Sequence, residues 1–132
     1  ARVVSTRSTC PRRQVGVVIV DGEKHIVSTG YNGNSPGQPH CIDIGCHIRE
    51  SHCIRSTHGD LNSIIHCRDR TSLKGAVMYI YGGTPCMNCA RAIVSAKITK
   101  VVCSEEYPDK DALVFLWNAG VEVDIKGKTL NT

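Results

Sequence analysis

The segment Pro85-Cys86-Met87-Asn88-Cys89 constrains this chain more than any other. It stands between the run Ala76-Val77-Met78-Tyr79-Ile80-Tyr81 and a stretch through Ala96, in which Ala90, Ile93 and Val94 fall at i, i+3 and i+4. The first reads as a strand and the second as a helix that Pro85 opens. Two cysteines at i and i+3 in the first turn of that helix face the same way, the spacing a tetrahedral metal site requires. The helix N-terminus adds partial positive charge and free N–H groups, which favour thiolates. A lone Cys-x-x-Cys serves a redox pair equally well, so a third ligand is needed to decide. His58, at the mouth of the preceding helical segment, supplies one. Three protein ligands leave the fourth zinc position open to water, which marks a catalytic site rather than a structural one.

Composition supports the metal reading. A chain of 132 residues buries enough surface to fold without disulfide staples, so its eight cysteines are free for other work beside six histidines. With no disulfide required, a reducing cytoplasm is the expected compartment. No apolar run approaches the ~18–20 residues of a membrane span, and no signal-peptide pattern opens the chain. The net charge of +4 is spread without a Lys/Arg block, so it suits an anionic small molecule as well as nucleic acid. One Trp, one Phe and four Tyr, not interleaved with basic residues, make a nucleic-acid groove unlikely.

Along the chain, Ala1 to Ser8 reads as the tail of a helix whose beginning is absent. Val15-Gly16-Val17-Val18-Ile19-Val20 and His25-Ile26-Val27-Ser28-Thr29-Gly30-Tyr31 flank the turn Asp21-Gly22 and predict a hairpin. From Asn32 to Ser56, Gly, Pro, Cys and His dominate without a period, which predicts a long and functional loop. Leu61 to Ile65 is helical by spacing, with His58-Gly59-Asp60 at its entry. Val101-Val102-Cys103 predicts a short strand, Asp111 to Ala119 a helix closed by Gly120, and Val121 to Ile125 a last strand. Strands that alternate with crossover helices give an α/β layered domain.

The pattern His-x-acid with a later Pro-Cys-x-x-Cys is that of the zinc deaminases. Further motifs carry the likeness. Arg7-Ser8-Thr9-Cys10-Pro11-Arg12-Arg13-Gln14-Val15-Gly16, Ser28-Thr29-Gly30-Tyr31-Asn32-Gly33, His40-Cys41, Gly45-Cys46 and His52-Cys53-Ile54-Arg55 resemble the deoxycytidylate (dCMP) deaminase family. The likeness spans about Arg7 to Ile125 and is strongest to compact bacterial competence-type and phage-type members. It implies a cytidine-deaminase-like three-layer α/β/α fold with a mixed central sheet of about five strands. On this reading residues 1–132 are a single zinc-dependent nucleotide deaminase domain.

The resemblance also implies an activity: hydrolysis of dCMP to dUMP and ammonia, which supplies dUMP for thymidylate synthesis. His58, Cys86 and Cys89 would hold the catalytic zinc, whose acidified water attacks C4 of the base. The family's proton shuttle is a glutamate two residues after the histidine, and here that position is Asp60. His58-Gly59-Asp60 thus departs from the family's His-Ala-Glu. Aspartate draws the carboxylate back by roughly 1.3–1.5 Å if the backbone stays put, and about 1 Å of misplacement can cost on the order of a hundredfold in rate. Gly59 tolerates backbone geometries that alanine does not. Three readings of Asp60 stand: a working variant, impaired turnover in a zinc- and nucleotide-binding protein, or a related deaminase acting on another base or a modified cytidylate.

Other expectations follow from the same likeness. Phage-type relatives carry a second, structural zinc, and Cys10 and Cys41 fall where its first two ligands lie; Cys46, His52 and Cys53 are candidates for the rest. Asn32 resembles the asparagine that contacts the deoxyribose, and Tyr107 a tyrosine near the base and phosphate. Larger relatives use the Gly30-Tyr31-Asn32-Gly33 segment to bind dCTP and dTTP as effectors, and relatives form hexamers. Cys67 and Cys103, within a predicted helix and strand, read as core residues. His25 and His66 read as solvated.

Overall fold

The computed structural model describes residues 1–8, 14–34, 48–49, 52–53, 56–104, 109–125 and 128–129. In chain order these form α1 (Arg2–Ser5), β1 (Gly16–Val20), β2 (Ile26–Tyr31) and four two-residue strands: β3 (Gly33–Asn34), β4 (Ile48–Arg49), β5 (His52–Cys53) and β6 (Ser56–Thr57). There follow α2 (Gly59–Ile65), a 3-10 turn at Arg70–Leu73, β7 (Val77–Tyr81) and α3 (Met87–Ser95). Last come β8 (Lys100–Cys103), α4 (Lys110–Asn118), β9 (Glu122–Ile125) and β10 (Lys128–Thr129).

The main sheet runs β10-β9-β8-β7-β1-β2. β7, β8 and β9 are parallel, joined by the crossover helices α3 and α4, and the remaining pairs are antiparallel. The expected mixed sheet of about five strands is present, with the short β10 added at its edge. At the hairpin, the Asp21 carboxylate accepts from the N–H groups of Glu23 and His25, both at 2.9 Å, which closes the turn between β1 and β2.

Register sorts the side chains into two faces. Val17 and Ile19 pair with Ile80 and Met78, these with Cys103 and Val101, and these in turn with Ile125 and Val123. Every one of these residues is buried, and they share one core with Ile64 of α2, Ala90 and Ile93 of α3, and Leu113 and Leu116 of α4. Three helices thus cover this face. The other face carries Val18, Tyr79, Val102 and Asp124 in a row, and α1 lies on it over Gly16. Gly16 and Gly30 stand on opposite faces, and a Cβ at either would strike helix backbone: Ser5 Cα of α1 at 2.8 Å, or Ser63 Cα of α2 at 2.8 Å. Those glycines let both helices settle directly on the strands.

Element boundaries moved in four places. The helix expected from Pro85 begins at Met87, with Cys86 as its N-cap and Pro85 outside it. Cys67 lies past the end of α2 rather than inside a helix, although it is buried in the core as expected. Its thiol hydrogen-bonds to the Asp69 carbonyl at 3.2 Å. The span expected as loop from Asn32 to Ser56 contains β3, β4 and β5 and reaches β6, pieces too short to show a period. The turn at Arg70–Leu73 was not foreseen; the Asp69 side chain caps it from Thr71 N–H at 3.0 Å.

Candidate active site

Two helix entrances meet at one point. His58 is the N-cap of α2 and Cys86 the N-cap of α3, both in extended backbone. Each commits its carbonyl to the first helical bond, from Asn62 N–H at 2.9 Å and from Ala90 N–H at 2.8 Å. Their side chains are therefore held at the ends of the helices rather than along them. Cys89 sits in the first turn of α3, buried by the adjoining core residues Ala90 and Ile93. His58 Nδ1 lies 3.4 Å from both sulfurs.

Among the described residues, His58, Cys86 and Cys89 are the group whose ligand atoms all fall within 4.8 Å of one another. Zinc held at ~2.3 Å by sulfur and ~2.05 Å by nitrogen, with tetrahedral angles, sets those atoms about 3.6 Å apart. The observed separations of 3.4 Å fit that demand. His58 is exposed and Cys89 buried, so the group has a closed floor and an open side.

The charges agree with this donor set. The Cys86 thiol is pushed down to about 3, chiefly because the Cys89 S–H donates to it, with His58 assisting. Cys89 is pushed up, first as the donor of that bond and then by burial and the Asp60 carboxylate. The pair therefore favours one thiolate and one thiol. A bound divalent cation deprotonates a coordinating thiol outright and supplies both thiolates.

Asp60, in the first turn of α2, is 3 % exposed. Its carboxyl is raised above the ordinary carboxylate value, first by burial; hydrogen bonding from Cys89 and the nearness of His58 oppose the rise. Its Oδ1 accepts from Leu61 N–H at 3.2 Å. The short aspartate thus lies against the cysteine pair. Cys103, at the end of β8, is pushed up to about 12 by burial and then by the charges of Asp60 and Asp124. That places a buried, protonated thiol near the site, in agreement with its reading as a core residue.

Asn32 is buried at the end of β2 and tied on three sides. Its Oδ1 accepts from Val15 N–H at 2.8 Å, its own N–H donates to the Val15 carbonyl at 3.3 Å, and its carbonyl accepts from Ser8 Oγ at 3.0 Å. Gly59, next to His58, backs onto this same backbone. Ser8 and Asn62, whose Nδ2 donates to the Tyr31 carbonyl at 2.9 Å, carried no sign in the sequence of their part in framing the site, whereas Gly59 stood out there only for its backbone freedom. Cys10, Cys41, Cys46 and Tyr107 lie outside the described residues, as do the side chains of His52 and Cys53. His25 and His66 are exposed, as expected. No helix among the described residues is long and apolar enough to cross a membrane.

Known proteins resemble this chain in sequence and fold. The model of a family described as the cytidine and deoxycytidylate deaminase zinc-binding region matches residues 1–105. The chain is 37% identical to ComE operon protein 2 of Bacillus subtilis over 81% of its own length and 56% of that protein's, so it spans little more than half of that relative. It is 31% identical to the deoxycytidylate deaminase of Enterobacteria phage T4 over 99% of this chain and 89% of that one. Among solved structures, the dCMP deaminase of cyanophage S-TIM5 in complex with dCMP and dUMP superposes with a TM-score of 0.79 at 26% identity, covering 95% of this chain and 90% of that one.

Proposed function

The chain belongs to the cytidine and deoxycytidylate deaminase zinc-binding family, and from that premise we propose that it hydrolyses dCMP to dUMP and ammonia, supplying dUMP for thymidylate synthesis. One observation carries the reading: His58, Cys86 and Cys89 form an open three-donor group with the carboxylate of Asp60 beside it. Likeness to the phage T4 enzyme over nearly the whole chain, and to a structure that holds dCMP and dUMP, supports the choice of substrate.

His58 Nδ1 and the sulfurs of Cys86 and Cys89 would hold a catalytic zinc. When bound, zinc brings the pKa of water toward neutrality and so supplies a nucleophile. Asp60 would take one proton from the attacking water and give it to N3 of the base, then carry that oxygen's second proton to the amine that leaves C4 as ammonia. The burial that raises the Asp60 carboxyl suits a group that must both accept and return a proton. Asn32 contacts the deoxyribose and Tyr107 the region of base and phosphate. Its net charge of +4 favours a phosphorylated nucleotide.

Residues 1–132 act as a single deaminase domain. Cys10, Cys41 and Cys46, with His52 or Cys53, hold a second, structural zinc. The active form is a hexamer in the cytoplasm, open to dCTP and dTTP as effectors. Elemental analysis that finds two zinc ions per chain supports the second site, and one zinc rejects it.

The aspartate at position 60 favours two competing readings: a related deaminase acting on another base or a modified cytidylate, and a zinc- and nucleotide-binding protein of impaired turnover. Zinc-loaded protein incubated with dCMP, dCTP, cytidine and guanine separates them through ammonia release. Turnover of dCMP alone is expected. Turnover of another substrate, or binding without ammonia, rejects the main reading.

A further inference from the structure

The first turn of α2 is seated on backbone, not on side chains. A Cβ on Gly59 would lie 3.2 Å from Asn32 N and 3.3 Å from both the carbonyl carbon and the Cα of Tyr31. Such contacts are tighter than nine in ten that real Cβ atoms make, so one partner has to give by a few tenths of an ångström. The strand side is fixed. Asn32 is bonded to Val15 in both directions and to Ser8, and Tyr31 pairs with Gly16 of β1. Relief therefore falls on α2, and the residues on either side of position 59 are His58 and Asp60.

We propose that Gly59 is a positioning residue that sets how closely the entrance of α2 approaches the end of β2, and that this approach is matched to the short carboxylate at Asp60. Gly30 works in the same direction one strand position earlier, where a Cβ would strike Ser63 of α2. With both side chains absent, the helix rides low on β2. The acid that this seat calls for is then one with a single methylene. Lengthening the acid and raising the helix become errors that offset each other, whereas either alone displaces the carboxylate.

This inference rests on the proposed deamination for its kinetic readout, and has a second readout that does not. Wild type, Gly59→Ala, Asp60→Glu and the double variant are compared for kcat and KM with dCMP, zinc content, thermal midpoint and the absorption spectrum of the cobalt(II)-substituted proteins. Gly22→Ala, where a Cβ meets nothing within 4 Å, is the control. A shift of a few tenths of an ångström predicts that Gly59→Ala lowers kcat about tenfold, with KM changed less than about threefold. Its zinc content stays unchanged, and its thermal midpoint falls only slightly, because the better helix propensity of alanine offsets part of the crowding. Asp60→Glu also lowers kcat, and the double variant recovers at least about fivefold over Gly59→Ala.

The cobalt thiolate and d–d bands shift in Gly59→Ala, as the His58 ligand moves, and stay put in Gly22→Ala. Additive effects of the two substitutions, or a silent Gly59→Ala in both rate and spectrum, overturn the proposal. Should wild type release no ammonia from dCMP, the proposed function fails. The seat is then judged on the cobalt spectra alone: shifted bands in Gly59→Ala support it and unchanged bands overturn it.

Discussion

The helices α2 and α3 bring their N-termini to the same point but are anchored by different physics. α3 is held by apolar burial: Ala90 and Ile93 are fully inside the core beneath the two cysteines. α2 has one core residue, Ile64, and otherwise sits through close backbone approach and polar ties. Gly30 and Gly59 open the space, Ser28 Oγ donates to the Ser63 carbonyl at 2.6 Å, and Asn62 Nδ2 to the Tyr31 carbonyl at 2.9 Å. The helix with the two cysteines is thus fixed by bulk, and the one with histidine and acid by fit. Apolar anchoring tolerates exchange of similar volumes, whereas a fit between backbones tolerates almost no added atom.

The largest expected effect isolates chemistry from anchoring. Asp60→Asn keeps the shape of α2 and removes the proposed proton shuttle, so kcat falls roughly 10²–10⁴-fold while zinc content and thermal midpoint hold. Unchanged ammonia release in that variant would remove Asp60 from the mechanism. Next, Ile93→Ala empties a fully buried site under α3 and costs about 2–5 kcal/mol of stability by denaturant titration. Activity per folded molecule is retained, since the cysteines still stand at the helix entrance; a loss of kcat at low temperature shows that the anchoring of α3 and the chemistry at its entrance are one and the same.

Gly30→Ala reverses that pattern. The new methyl drives α2 off β2, destabilising the fold by about 1–3 kcal/mol and lowering kcat of the folded fraction. A drop in stability with full activity shows that α2 can shift without moving the site. Smallest of all, Asn62→Ala leaves the Tyr31 carbonyl without its side-chain donor and costs about 1 kcal/mol in thermal or denaturant melts. An effect as large as that of Ile93→Ala would place α2 among the apolar-anchored elements.

The same contrast explains what could be read before any fold was known. The spacing of Ala90, Ile93 and Val94, the β-branched run Val17-Val18-Ile19 and the alternation of Val121 to Ile125 are local patterns, and each became the expected element. Cys86 and Cys89 declared themselves because a four-residue motif carries its own geometry, and His58, far away in sequence, lies beside them. The short pieces β3 to β6 escaped, since two residues carry no period and their pairing is decided by chain segments far apart in sequence.

What the sequence by itself determined is the inventory: the α/β order, the three donors, and an aspartate at the position of the acid. Hydrophobic period and ligand spacing are written within a few residues and survive translation into structure. What only the tertiary structure decided is distance. That Gly59 lies against the Asn32 backbone, that Ser8 ties that asparagine down, and that the Asp60 carboxylate reaches Cys89 depend on how β2, α1, α2 and α3 stack. A glycine announces freedom in a sequence, and only packing tells whether that freedom serves a turn or lets two backbones touch.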